Sequence, residues 1–124
     1  MDKLFWEGTE TTPQVLLDPE SQKYEIKGRS FPEDPVEFYQ PIFDWIDNNL
    51  PEIDHKIIMD MYIEYFNSSS NRMILLIMKK LEEHLMHGKD IHIKWNYDDE
   101  EVLGDGQMYS TLIKIPFELN EVSV

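Results

Sequence analysis

The 124-residue sequence contains no cysteine, and its longest uninterrupted apolar run, Met73 to Met78, is only six residues long. The lack of cysteine excludes disulfides, thiolate catalysis and Cys-ligated zinc. A membrane-spanning helix needs about 20 apolar residues, so this run predicts none. The opening "MDKLFWEGTETTP" has no stretch of the signal-peptide type, and a cytoplasmic location is the simplest expectation.

Basic residues are also scarce, since 11 Lys and Arg stand against 25 Asp and Glu, for a formal net charge of −14. The negative electrostatic field of such a chain repels phosphate backbones and anionic lipids, which argues against nucleic acid and membrane surfaces as partners. The hydrophobic fraction of 41% is nevertheless sufficient for a core, and the length suits one domain, residues 1–124.

The first half of the chain alternates strands and helices. "PQVLLD" and "KYEIKG" predict a β-hairpin around "DPESQ". Asp34 followed by Pro35 predicts a helix start, and Pro41 should kink that helix or divide it into two pieces. "HKIIMDMYIEYF" predicts a strand near 56–66 with alternate residues on one face: Ile57, Met59, Met61, Ile63 and Tyr65.

The second half continues the pattern. Apolar residues at helical spacing predict an amphipathic helix near 70–87: Met73, Ile74, Ile77, Met78, Leu81 and Leu85. "DIHIKWNY" predicts a strand, "YDDEEVLGDGQMYSTLIK" a helix that Gly104 and Gly106 weaken, and "IPFELNEV" a closing strand. The order ββαβαβ(α)β predicts an α/β fold with a mixed β-sheet and helices mainly on one face.

Three serines, Ser68 to Ser70, occupy the junction between the predicted strand near 56–66 and the amphipathic helix near 70–87. A serine at such a position can accept a hydrogen bond from a free N–H group of the first turn, so capping alone explains one of them. The same position favours an added phosphate, because the N-terminus of a helix attracts anions. Local sequence leaves both readings open.

A different class of function, a small metal-binding module or metal-dependent enzyme, would use His84, His87 and His92. Two of these are three residues apart on the predicted helix, but the spacing does not guarantee tetrahedral convergence. The acidic run "DDEE" at 98–101 lacks the EF-hand spacing, and "GDG" is too short for a phosphate loop. No hydrolase, zinc-protease or Walker motif is present, so the chain is not expected to be an enzyme.

Several stretches together resemble the SiaC family of bacterial regulatory phosphoproteins. They are "GTETTPQVLLD", "IKGRSFPEDPVEFYQPIFDWI", the strand ending in "YFNSSS" with its helix, and "HIKWNYD", which span residues 8 to about 98 in the family's order. The C-terminal third matches least.

The resemblance implies a STAS-like fold and a phosphorylatable adaptor of a partner-switching system, without a cofactor. It implies a serine/threonine kinase of histidine-kinase-like fold, a PP2C-type phosphatase and an effector such as a diguanylate cyclase, affecting biofilm formation. It also implies that the acceptor is the residue after Asn67, which is Ser68 here, with Ser69 and Ser70 as alternates.

Overall fold

The computed structural model describes residues 2–122, which form one six-stranded sheet and three α-helices joined by short loops. The strands are β1 (Leu4–Trp6), β2 (Gln14–Asp18), β3 (Lys23–Ser30), β4 (Ile57–Phe66), β5 (Ile91–Tyr97) and β6 (Phe117–Glu121). The helices are α1 (Pro35–Asn49), α2 (Ser68–Met86) and α3 (Glu100–Leu112), with a 3₁₀ turn at Leu50–Glu52. Within the described residues, no helix is long and apolar enough to span a bilayer.

The strands lie side by side in chain order. The first three are antiparallel, and β3 to β6 are parallel, each pair connected by one helix. Because each crossover moves one strand in the same direction, the helices share one face of the sheet. The predicted mixed sheet with helices on one face is therefore confirmed.

Strand β1 was not predicted from the sequence, because it has only three residues and therefore no measurable alternation. Its register pairs Trp6 with Val15, and the Trp6 ring lies 5.1 Å from the ring of Phe38. This short edge strand is held by its pairing with β2 and by the contact of Trp6 with α1.

The strand predicted near 56–66 is central, as expected, but its last residues do not follow the predicted alternation. The pairing with β3 moves from Ile63 opposite Gly28 to Tyr65 opposite Arg29, so Glu64 forms a β-bulge. One extra residue reverses the side-chain alternation beyond it. Tyr65 is consequently 52% exposed, and Phe66 packs against the core instead.

Of the two outcomes expected for Pro41, a kink or a division of the helix, the division is wrong, because α1 continues from Pro35 to Asn49. Pro41 and Glu37, whose carbonyl loses its helical partner, are both solvent-exposed, so water replaces the missing bond. Asp34 caps the helix as predicted, since its carboxylate accepts a hydrogen bond from the Glu37 N–H at 3.1 Å.

Helix α2 packs its apolar stripe into the core shared by the sheet and α1, as predicted: Ile74, Ile77, Met78 and Leu81 have no exposed surface, and Leu85 is partly buried against the same core. Helix α3 forms despite its two glycines. Its Gly106 lies where a Cβ would come within 2.4 Å of the Trp95 ring, and the Tyr109 ring meets Trp95 edge-on at 5.3 Å. Gly106 therefore permits close contact between α3 and β5.

Candidate functional site

The end of β4 and the start of α2 form the candidate site, and Asn67 organises it. The Asn67 side-chain oxygen accepts a hydrogen bond from the Ser70 N–H at 2.9 Å, and its backbone carbonyl accepts one from Asn71. The Asn67 N–H in turn donates to the Ser30 carbonyl at the end of β3. The helix cap is thus Asn67, and the expectation that one of the serines caps α2 is wrong.

Ser70 lies completely inside the protein. Its hydroxyl accepts a hydrogen bond from the Ser30 hydroxyl at 2.9 Å, and the Ser30 oxygen lies 2.6 Å from the Tyr39 hydroxyl. Since Ser30 has only one proton to donate, Tyr39 must donate to Ser30. Burial raises the pKa of Tyr39 to about 12, which keeps this phenol protonated at neutral pH. Ser70 is therefore part of a buried hydrogen-bond chain that links β3, α1 and α2.

Helix α3 holds the same turn of α2 from the other side. The Tyr109 hydroxyl donates to the Asn71 side-chain oxygen at 2.5 Å. Burial raises the pKa of Tyr109, so it too remains a donor at neutral pH. The first turn of α2 is consequently fixed by contacts on Asn67, Ser70 and Asn71.

Ser68 and Ser69, in contrast, are exposed at the first two positions of the helix. The N–H groups of a first turn have no partners inside the helix. Ser69 also lines a groove of about 550 Å³ between α1 and α2, whose other lining residues are Pro35, Val36, Gln40, Phe43, Arg72, Met73 and Leu76. The site therefore presents two hydroxyls on a rigid base beside a largely apolar groove.

An aromatic cluster with one cation adjoins this end of the sheet. The Arg29 guanidinium lies 5.3 Å from the Phe31 ring centre and 5.9 Å from that of Tyr65, and the two rings meet edge-on at 5.4 Å. The bulge at Glu64 exposes Tyr65 on this surface. Cation–π contacts of this kind hold the Arg29 side chain in place.

Three residues of the site were not predicted from the sequence: Ser30, Tyr39 and Tyr109. For Ser30 one signal was available. Tyr24, Ile26 and Ser30 share the inward side of β3 in the observed structure. A polar residue in such a buried row indicates a buried hydrogen bond. No comparable local signal pointed to Tyr39 or Tyr109, whose partners are distant in sequence.

The three histidines of the metal hypothesis make separate contacts. His84 Nε2 lies 3.1 Å from Asp47 Oδ1, and His87 Nδ1 donates to the Glu83 carbonyl at 2.7 Å. His92 belongs to β5, with its Nε2 3.8 Å from an Asp90 carboxylate oxygen. Between residues 2 and 122, no group of three or more His, Asp or Glu side chains is placed to hold a metal ion. The three histidines of this alternative hypothesis are thus not brought together.

The sequence matches the SiaC family of regulatory phosphoproteins over residues 6–122. A protein of Pseudomonas aeruginosa strain UCBPP-PA14, described only as uncharacterized, is 29% identical over 98 residues, which cover 79% of this chain and 78% of the relative.

Solved structures give the same result. SiaC of Pseudomonas aeruginosa is similar with a TM-score of 0.89 and 25% identity, over 98% of this chain and 100% of that one. A chain in the crystal structure of the diguanylate cyclase SiaD with its activator SiaC, from the same organism, matches with a TM-score of 0.89 and 26% identity, over 96% of this chain and 99% of that one. The protein described here belongs to the SiaC family of regulatory phosphoproteins.

Proposed function

We propose that this chain is a non-enzymatic adaptor, acting in the cytoplasm, whose Ser68 is reversibly phosphorylated to control its binding to an effector. The observation that carries the proposal is the exposed Ser68 hydroxyl on a first helical turn that internal contacts hold rigid. A protein kinase must reach the hydroxyl of its substrate, and a regulatory phosphoprotein must present one. Membership of the SiaC family supports this role.

The choice among the three serines rests on two separate arguments. Ser70 is unsuitable because its hydroxyl is buried and bonded to Ser30. Ser69 is exposed like Ser68, so accessibility does not separate them. The resemblance to the family favours the residue that follows Asn67, and on that basis we assign Ser68.

A phosphate on Ser68 fits the local backbone. The Asn67 cap uses the N–H groups of Ser70 and Asn71, so it does not compete for those of Ser68 and Ser69. A phosphate adds about −1.5 to −2 charge at neutral pH and is favoured near a helix N-terminus. Modification therefore changes the charge of an exposed surface without requiring the helix to unfold.

Membership of the family supports the partners that we propose for this chain. Pseudomonas aeruginosa SiaC is the activator of the diguanylate cyclase SiaD in their complex. We propose that the unmodified form of this chain likewise binds an effector such as a diguanylate cyclase, and that the phosphorylated form releases it. A serine/threonine kinase of histidine-kinase-like fold would add the phosphate, and a PP2C-type phosphatase would remove it.

Intact-mass spectrometry of the protein from its native host tests the assignment. We expect a fraction carrying one phosphate, which a PP2C-type phosphatase removes. Ser68→Ala should abolish that fraction, whereas the matched control Ser69→Ala should retain it. Phosphate that persists in Ser68→Ala and maps to Ser69 would refute the residue assignment. If neither serine is modified under any growth condition, the phosphorylation switch itself is refuted.

A further inference from the structure

Arg72 lies one helical turn beyond Ser68 on the exposed side of α2. Residues four apart on a helix are neighbours on its surface, with Cβ atoms about 5–6 Å apart. Arg72 is also three residues beyond Ser69 and lines the same groove. A group attached to the Ser68 hydroxyl would therefore be within reach of the Arg72 side chain.

Arg72 is well suited to receive an anion. The chain has two arginines, and Arg29 is occupied by the rings of Phe31 and Tyr65. In the structure of residues 2–122, Arg72 takes part in none of the ion pairs or cation–π contacts. Its guanidinium fork matches the geometry of a phosphate and can bind it with two hydrogen bonds.

The orientation of the pair is favourable too. An acidic group that precedes a basic one by four residues stabilises a helix more than the reverse order does. From these observations we infer that Arg72 is the counter-ion of a phosphate on Ser68, and that phosphorylation acts on the α1–α2 groove by withdrawing its cation. The inference deepens the proposed function and rests on it.

The lining of the α1–α2 groove shows how pairing of Arg72 with the phosphate would change this surface. Among the residues from 2 to 122 that line the groove, Arg72 is the only cationic one, and the exposed apolar side chains of the groove include Val36 and Leu76. The nearby acidic residues, Glu33, Asp34 and Glu37, line an adjoining cavity that shares Pro35 with the groove. Before phosphorylation, the groove has one available cation. After it, the phosphate and Arg72 together carry a net negative charge, and the adjoining carboxylates add to the negative potential there.

Phosphorus NMR of the full chain with phosphoserine placed at position 68 during translation tests the pairing. An ion pair lowers the second pKa of a phosphate, so Arg72→Gln should raise it by about 0.2–0.7 of a pH unit. The matched control Lys79→Gln removes one charge from the same exposed side of α2, about 16 Å along the helix from Ser68, where salt screens it from the phosphate. Lys79→Gln should leave that pKa unchanged, and carboxylates common to all variants do not affect the comparison.

The two arginine Nε–H signals provide a second measurement in the unmutated sequence. Phosphoserine at position 68 should shift one of them, the signal that is absent from Arg72→Gln, and leave that of Arg29 in place. Equal phosphate pKa values in both variants, or an unmoved Arg72 signal, would overturn the inference. Because the phosphoserine is installed without a kinase, a different acceptor in the cell would refute the proposed function and not this pairing.

Discussion

The hydroxyl of Ser30 donates a hydrogen bond to the hydroxyl of Ser70 at 2.9 Å, across forty residues of sequence and with both side chains fully buried. This bond joins the end of β3 to the first turn of α2. Tyr39 extends the chain of bonds to α1. The serine run therefore divides by position, with Ser68 and Ser69 facing solvent and Ser70 anchoring the turn from inside.

Ser70→Ala should lower the free energy of unfolding by about 1–3 kcal/mol, because it leaves the buried Ser30 donor without its acceptor. Urea denaturation followed by tryptophan fluorescence measures the change. Ser69→Ala, which removes an exposed hydroxyl one residue away, is the control and should stay within about 0.5 kcal/mol of the parent. Equal effects of the two substitutions would contradict the buried hydrogen-bond chain.

Asn67→Ala should cost about 0.5–2 kcal/mol, since it removes the oxygen that caps the Ser70 N–H. Ser68→Ala should change stability by less than about 0.5 kcal/mol, because Ser68 is not the cap. Thermal unfolding of the two variants measures whether Asn67 or Ser68 caps α2. A larger loss of stability in Ser68→Ala than in Asn67→Ala would contradict this assignment and indicate that Ser68 is the cap. The small cost expected also makes Ser68→Ala a suitable variant for phosphorylation experiments.

Elements with a long, regular pattern were predictable from the sequence. The alternation of β4 and the helical spacing of Ile74, Ile77 and Leu81 placed a central strand and its packed helix correctly, because burial alone dictates both patterns. The exposed position of Ser68 was also consistent with its predicted role. That role stays a prediction, since structure fixes where a hydroxyl lies and not which enzyme modifies it.

Two of the failures, at β4 and at α1, have a common physical cause, which is tertiary context. The bulge at Glu64 depends on pairing with β3, and the uninterrupted α1 depends on Pro41 facing water. The cap is a different case, because Asn67 directly precedes the serines and asparagine is among the preferred N-cap residues, so a local signal for it was present. Neither the bulge nor the continuity of α1 is encoded in a short window of sequence.

Gly106→Ala should destabilise the protein by about 1–3 kcal/mol, even though alanine is the better helix former. The added Cβ would come within 2.4 Å of Trp95, whose ring cannot move freely because its Nε1 donates to the Val102 carbonyl at 2.9 Å. Gly104→Ala is the matched control, since a Cβ there meets nothing within 4 Å. It should stabilise α3 by about 0.5–1 kcal/mol. Thermal unfolding that moves in the same direction for both variants would contradict the contact between Gly106 and Trp95.

Asp105→Asn should stabilise the protein at neutral pH. Burial, and then the charges of Glu101 and Asp99, raise the pKa of Asp105 above its ordinary value. A carboxyl with a raised pKa in the folded state opposes folding when it is ionised, and the penalty disappears as pH falls through that pKa and below the unfolded value. Asparagine and aspartate have similar helix propensities, so the substitution isolates the charge.

The gain of Asp105→Asn at neutral pH should be below about 1 kcal/mol, because the carboxylate is still partly exposed to water. It should shrink on acidification and vanish below the ordinary pKa of aspartate, about 3.9. Asp54→Asn, at an exposed loop position, removes the same charge from a chain of net charge −14 and controls for general repulsion. Urea denaturation at several pH values measures both variants. If the two gains are equal at every pH, overall charge and not the environment of Asp105 is responsible.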